Sequence, residues 1–598
     1  MNLLNRITKD KESGTAINRL FSTAMGVFIL TSLVSAIGPT IDGIVVGSYY
    51  KLDEVAAIGL TSFLLVGIRT LAASIISTGS NVIVSRLIGS GDKESANRAF
   101  SLSLILALAL SGLMAAVCII FSNQIAIMLG ARGALAHLMK PTSDYLIGYC
   151  LGLPFYAVYI IFLSYLKMDG DYSFVTLSTV AMTIVDILAD LYVVKCTDGG
   201  LFMIGLATTA GHVIAFLIAL SHFFLKKTIF HFSLKGLQLQ QGIEMLRTGL
   251  TTGITKLSTT ACGVLINNML VFFAGSEVIA AFGVGNQVLK FCFCFWMGAA
   301  STLMSFTSML MGEEDREALG SVQKTALKHS LRITCLAAAL IFVFSGPIAV
   351  LFVKNGDPSV ISIAGESIRF FALSMPFNVI VYCFQFYLIG VRRRSAANTY
   401  SFMLEFGIPV PLTFLLLATA GYRGAWVAKP IAGAVCVLIA YIYIRRQKGR
   451  TFKEKMLMLP DGFGSETGKE LTFNVNSMKN VARVSRIAIL FATENGMELK
   501  RAQLLSLAVE EMAGNIVEHG VTDGRPHMIN IRMLAKDDEL ILRIRDDCRR
   551  FDPTDKYKKE LQFDENPENG MAIKMLIKLA KEMKYTGLFG VNNLIIRV

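Results

Sequence analysis

Twelve runs of mostly apolar residues follow one another between residues 21 and 445, the first near 21–45 and the last near 424–445. A helix needs about 20 such residues to cross the hydrocarbon layer of a bilayer. In lipid every backbone N–H and C=O must be satisfied internally, so these runs are predicted to be membrane helices. Only 17% of the residues are charged and 53% are hydrophobic, more apolar material than one soluble core could bury.

Lys and Arg are distributed unevenly among the connections. The N-terminal tail (Arg6, Lys9, Lys11, Arg19), the even-numbered connections and the RRQKGRTFKEK stretch are basic, whereas the odd-numbered connections are poorer. The positive-inside rule therefore predicts a multi-pass protein of the cell inner membrane with both termini cytoplasmic, which an even helix number also requires. The same bias accounts for the net charge of +13 without a nucleic-acid partner. The polar first twenty residues do not resemble a cleaved signal peptide. The ten cysteines are scattered, with no paired CxxC spacing, so neither a disulfide framework nor a zinc site is expected.

The chain repeats itself. VAAIGL (55–60) returns as IAAFGV (279–284), and SRLIGSGDKESA (85–96) as SMLMGEEDREAL (308–319). LGLPF ending at Phe155 matches SMPF ending at Phe377. One near-constant offset means that six helices occur twice in the same orientation, a plan used by secondary transporters with sites near the membrane midplane. The predicted fold class is an all-α polytopic membrane domain of 12 transmembrane helices in two six-helix lobes, plus a C-terminal soluble α+β sandwich domain. Lobe 1 covers about 15–227, lobe 2 about 240–447, a linker 448–468 and the soluble domain 469–598. Within the last, INIRML, LILRIRD and NLIIRV read as strands, and ARVSRIAILFATENGM, the stretch around 500–518 and MAIKMLIKLAKEM as helices.

Ionisable residues deep in a bilayer are costly and are functional candidates by default. Asp42 lies in the first helix, and Asp186 and Asp190, four apart and so on one face, lie in the fifth. Two carboxylates that close favour a shared proton, so the pair could carry H⁺ or bind Na⁺. The competing expectation is that Asp42 or Asp190 is solvated at the membrane edge. Lobe 2 is poorer in acids: Asn268 falls near the counterpart of Asp42, Glu405 in helix eleven is its clearest buried acid, and Glu277 reads as a loop residue.

DGIVVGSYYKLDEVAAIGL (42–60) together with SRLIGSGDKESANRA resembles conserved stretches of the MATE multidrug exporters, in the superfamily that also contains polysaccharide-lipid flippases. The resemblance covers roughly 15–447. It implies a twelve-helix, two-lobe exporter of drugs or organic cations driven by H⁺ or Na⁺ antiport. It also implies a lobe 1 acid network at Asp42, Asp190 and Thr208, with Asp186 where the family usually has Asn.

In the tail, LAVEEMAGNIVEHG (507–520) spaces Glu511, Asn515 and His519 by four, which on a helix places them on one face. An Asn oxygen can ligate Mg²⁺, and a carboxylate one turn away can orient or deprotonate a nucleophile beside a γ-phosphate. Asp546, at the end of a strand, can accept from an adenine amine, and the helix opening at ENGMAIKML can receive phosphate. In this order the motifs resemble the histidine-kinase-like ATPase domain, specifically its anti-sigma-factor serine kinase branch, over most of 470–598. The resemblance implies Mg-ATP bound through Asn515, Asp546 and Gly570, with Glu511 catalytic, Mg²⁺ held at Asn515 and serine/threonine kinase activity toward a cytoplasmic protein partner. Cys548 and Arg550 replace two motif glycines and Glu568 a third, which works against nucleotide affinity.

The leading expectation is thus a cation-coupled exporter with a regulatory ATP-binding tail. The alternatives are a membrane-anchored signalling serine kinase or anti-sigma-like regulator, and a lipid-linked saccharide flippase. The chain has no GxxxxGK[ST] loop, so ATP is not expected to drive transport.

Overall fold

The structure is a computed structural model. It describes residues 15–49, 52–129, 131, 133–197, 200–225, 228–233, 235–273, 276–352, 358–460, 462–464, 469–520, 527, 529–536, 539–549, 552–553 and 571–598. A helix accompanies each predicted apolar run. Lobe 1 holds α1 (Thr15–Tyr49), α2 (52–89), α3 (Lys93–Ile120), α4 (139–169), α5 (Tyr172–Cys196) and α6 (Gly200–Leu225). Lobe 2 holds α7 (Leu239–Phe273), α8 (Ser276–Gly312), α9 (Arg316–Val343), α10 (Pro358–Gly390), α11 (394–420) and α12 (Tyr422–Arg445).

Among the described residues ten helices are individually long and apolar enough to cross a membrane, and the α4 region, bent by 41° at a short break, makes an eleventh span. The remaining helix, α7, is continuous over 35 residues but carries Thr251, Thr252, Thr255, Lys256 and Thr259, which lower its hydropathy. Single π turns interrupt α2 at Thr70–Ser74 and α11 at Met403–Gly407; such turns are frequent at functional sites.

The repeated SRLIGSGD and SMLMGEED motifs have a structural cause. Asp92 and Asp315 are the N-caps of α3 and α9, accepting from the N–H groups of Ser95 and Ala318 at 3.0 and 2.9 Å. Gly89 and Gly312 mark where the two lobes touch. A Cβ on Gly89 would overlap the carbonyl of Met309, and one on Gly312 that of Arg86. Gly79 lies equally close to Met245, and Gly249 to Ile75. Thr252 donates to Thr78 at 3.0 Å and Ser305 to Asn81 at 3.0 Å across the same seam. The lobes are therefore shut against each other at the end that bears the tail.

Residues 448–468 include the helix α13 (Phe452–Leu457), and Tyr387 donates to the Leu457 carbonyl at 2.7 Å. The tail is a five-stranded antiparallel sheet of β1 (Glu470–Val475), β2 (Ile529–Lys536), β3 (Glu539–Asp546), β4 (Glu582–Leu588) and β5 (Val591–Arg597), ordered β1-β2-β3-β5-β4. One face packs on α14 (Met478–Glu494), α15 (Leu499–Asn515) and α16 (Met571–Leu579). β1 and β4 are additions to the predicted strands. α16 stops at Leu579, short of the predicted AKEM, because Glu582 and Met583 pair with β5.

The other face of the sheet carries Arg532, Arg543 and Arg545, all buried against the turn between α8 and α9. Arg545 bonds the Glu313 carboxylate and reaches Asp315 at 3.2 Å. Arg543 donates to the Glu313 carbonyl at 2.7 Å, and Asn593 to Glu313 Oε1 at 3.1 Å. Glu314 adopts φ +52° where lobe 1 has Gly91 at +85°. A left-handed non-glycine residue costs of order 1 kcal/mol or more; Arg532 binds its carbonyl at 2.9 Å and Lys536 its carboxylate at 2.7 Å. The tail also grips lobe 1. The Phe589 N–H donates to the Met168 carbonyl at 2.5 Å and Lys93 pairs with Asp552 at 2.9 Å, while the Phe589 ring stacks at 4.6 Å on Phe306 of lobe 2. One soluble domain thus bridges both lobes.

Candidate functional site

In lobe 1, helical spacing brings Asp186 and Asp190 onto the inward face of α5, 9% and 1% exposed. The edge-of-membrane expectation for Asp190 is therefore not met: its carboxylate is enclosed by protein. Among the described residues both Asp190 oxygens and Asp186 Oδ1 lack a hydrogen-bond partner. Thr208 on α6 lies within hydrogen-bonding reach of Asp186, and Gly38 of α1 and Gly211 of α6 pack beside it. Three of the four predicted coupling residues are thus assembled by α5 and α6. Asp42 belongs to α1, but its side chain lies outside the described residues.

Lobe 2 builds a matching cluster with opposite charge. Glu405 sits in the π turn of α11, where Tyr382 bonds one oxygen and Thr259 donates to the other at 2.9 Å. Lys256 of α7 and Lys429 of α12 are within electrostatic reach of that carboxylate. Their ammonium groups lie 5.0 Å from the ring centres of Phe293 and Phe371. Arg69 of α2 lies 4.3 Å from the Tyr156 ring centre. The sequence reading attended to acids and passed over these three cations. The signal was present, since GIRTL, ITKLS and VAKPI each place a charge inside an apolar run.

In the tail, Glu511 and Asn515 share the end of α15, half-buried, and the Asn515 amide donates to the Glu511 carbonyl at 2.7 Å. His519 does not join them. A π turn over Ile516–Gly520 rotates the chain out of the four-residue register, leaving His519 exposed. Asp546 is buried, and its Oδ1 accepts from Cys548 N–H at 3.0 Å and Asn592 at 2.8 Å. Gly570, Glu568 and Arg550 lie outside the described residues. Cys548, at a motif glycine position, packs against Gly520 and groups with His527 and Asp547, whose ligand atoms lie within 4.8 Å of one another. No linear CxxC spacing could have revealed that grouping.

Burial pushes the Asp546 carboxyl up to about 6. A folded-state value above the unfolded one, about 3.9, means that the folded tail holds more protons between those limits, so its stability falls as pH rises from about 4 to 6. Asp546→Asn is expected to flatten that slope, read as the tail's melting temperature across this range.

The comparisons agree with this geometry. The MatE family profile matches residues 28–191 and again 252–415, one match per lobe. The histidine kinase-like ATPase domain profile matches 475–597. The multidrug export protein MepA of Staphylococcus saprophyticus is 22% identical over 436 residues, covering 72% of this chain and 94% of the relative. The probable multidrug resistance protein YoeA of Bacillus subtilis is 20% identical, covering 73% and 95%. A multidrug resistance MATE family transporter solved in an outward-facing conformation superimposes with a TM-score of 0.68 at 20% identity, covering 72% of this chain and 95% of that one. With the family profile matched in both lobes and the ATPase-like domain at the C-terminus, the chain belongs to the MatE family of multi-pass membrane transporters and carries a histidine kinase-like ATPase domain as its tail.

Proposed function

We propose that this protein is a proton-coupled exporter of small molecules whose tail regulates the opening of its cytoplasmic side. The carrying observation is the pair Asp186 and Asp190, enclosed in lobe 1 with three carboxylate oxygens unpartnered among the described residues. Two acids four residues apart in a low-dielectric interior are relieved by sharing a proton, and giving it up as the lobes rearrange couples the gradient to substrate. Sharing of a proton between the two carboxylates favours H⁺ over Na⁺ as the coupling ion in this reading. Asp190→Asn is expected to abolish efflux in everted vesicles, and a protonophore to collapse it in the parent while ATP is present. Undiminished efflux in Asp190→Asn would remove the coupling role.

The basic even-numbered connections support a cytoplasmic position for the tail and the closed ends of the lobes. The tail then serves as a brace, holding the cytoplasmic gate shut through the turns after α2, α4 and α8. Mg-ATP bound at Asn515 and Asp546 would act on the reverse face of the same sheet. Glu511 could serve a kinase reaction on a protein partner, but the docked sheet favours regulation of the transporter itself. A saccharide-lipid substrate finds no specific support in this geometry.

A further inference from the structure

We propose that the transported substrate carries an anionic group, which binds between Lys256 of lobe 2 and Arg69 of lobe 1 with its apolar body against the aromatic wall around Phe293. The inference rests on the exporter reading and supplies its substrate class; the expectation of organic cations is not carried forward.

The two lobes are repeats, and their central clusters occupy corresponding helices. In lobe 1 the first, fifth and sixth helices were expected to hold an acid network, and α5 and α6 bring together Asp186, Asp190 and Thr208. In lobe 2 the corresponding α7, α11 and α12 hold Lys256, Glu405 and Lys429. The acid-rich site in one repeat is thus a lysine-rich site in the other. The proposed proton carriers lie in lobe 1, while the lysines of the proposed substrate site lie in lobe 2, with Arg69 of lobe 1 opposite them.

Position supports the same division. α2 and α7 run antiparallel across the seam, with Gly79 against Met245 and Gly249 against Ile75. Continuing away from the closed end, the next residues to come level are Lys256 and Arg69, and the two charges act on each other. Like charges from opposite lobes therefore face one another just beyond the shut gate, with Asp186 and the Tyr149 and Tyr156 hydroxyls also within reach of Arg69. Among the described residues neither Lys256 nor Lys429 has an ion pair within 4.0 Å; each lies beside an aromatic ring, with Glu405 at longer electrostatic reach. Glu405 does not neutralise both, since it brings one negative charge to two ammonium groups. A carboxylate or sulfonate arriving between Lys256 and Arg69 would relieve that repulsion and draw the lobes together. Its departure would let them separate.

The test uses carboxyfluorescein as anionic probe and ethidium as cationic probe, with the full-length protein. In energised everted vesicles the parent should accumulate carboxyfluorescein. Lys256→Met and Arg69→Gln should each raise its half-saturating concentration by about tenfold or more, while Lys256→Arg restores most of the affinity. Accumulation of ethidium but not carboxyfluorescein, or an unchanged half-saturation in both charge-removing variants, would overturn the proposal. Binding is read separately as the fluorescence anisotropy of carboxyfluorescein on purified protein. Binding lost in Lys256→Met but without transport would keep the anion site and defeat the exporter reading. Absence of binding to the parent would defeat the anion site even if Asp190-dependent transport of another dye persisted.

Discussion

Glu313→Gln is expected to release the tail from the transporter. The Glu313 side chain is buried under Arg543, Arg545 and Asn593. Removing one partner of a buried ionic cluster leaves its cations uncompensated, a loss of about 3–5 kcal/mol. Burial opposes ionisation of the neighbouring Asp315, but the charges of Arg532, Arg545 and Arg543 prevail and hold its carboxyl down at about 2. The two acids thus form one anionic knob in a basic socket. Loss of Glu313 should appear as faster amide exchange on β2, β3 and β5 and faster protease cutting between the membrane domain and the tail. If the tail is a brace, turnover should rise as the gate is freed. Breaking the Lys93–Asp552 pair, which is partly exposed, should cost no more than about 1 kcal/mol and serves as the contrast. Equal protection of β3 in parent and Glu313→Gln would show that the knob does not hold the tail.

The second large effect is expected at Gly312. A valine there places its Cβ on the Arg86 carbonyl, with the Ser90 amide also in the way. Backbone cannot yield as a flexible side chain can, so α2 and α8 must move apart. Gly312→Val should therefore depopulate the state closed on the tail side and cut efflux by more than about tenfold, because separating packed backbones costs well over 1.4 kcal/mol. Cysteine labelling at the seam, for instance in Ser305→Cys, reads the change directly: protected in the parent, reactive in the Gly312→Val background. Gly346, with nothing near an added Cβ, is the matched control and should tolerate alanine.

Much of this architecture could be read before any coordinates, and the reason is the solvent. Lipid demands long apolar runs, so α3, α6 and α12 announce themselves, while α7 with its threonines and Lys256 stands out less because it lines the interior. The repeat was legible because Gly89, Gly312, Asp92 and Asp315 are constrained by close approach and capping, which tolerate few alternatives. The soluble strands were legible where apolar residues dominate, in β2, β3 and β5. β4, reading EMKYTGL, was not, since half its side chains are polar and its place is set by pairing with β5. The Asp186–Asp190–Thr208 grouping followed from helical spacing plus the family resemblance. The Lys256–Glu405–Lys429 cluster draws on residues from both ends of lobe 2, and only the packing of α7, α11 and α12 reveals it. The π turn after Asn515 shows the limit of spacing arguments: four-residue periodicity holds while the helix is regular and fails for His519 one turn later.

The sheet of the tail is one layer thick, and neighbouring residues in a strand point to opposite sides of it. Arg545 reaches the membrane domain while Asp546, the next residue, turns toward the predicted adenine pocket; on β5, Asn593 and Asn592 divide in the same way, joined to that pair in register. A nucleotide tugging on Asp546 would thus be felt by Glu313 through a single peptide link on each of two strands. News of cellular energy need not travel along a relay of side chains or a hinge to reach the gate: the messenger and the bolt are adjacent beads on one string.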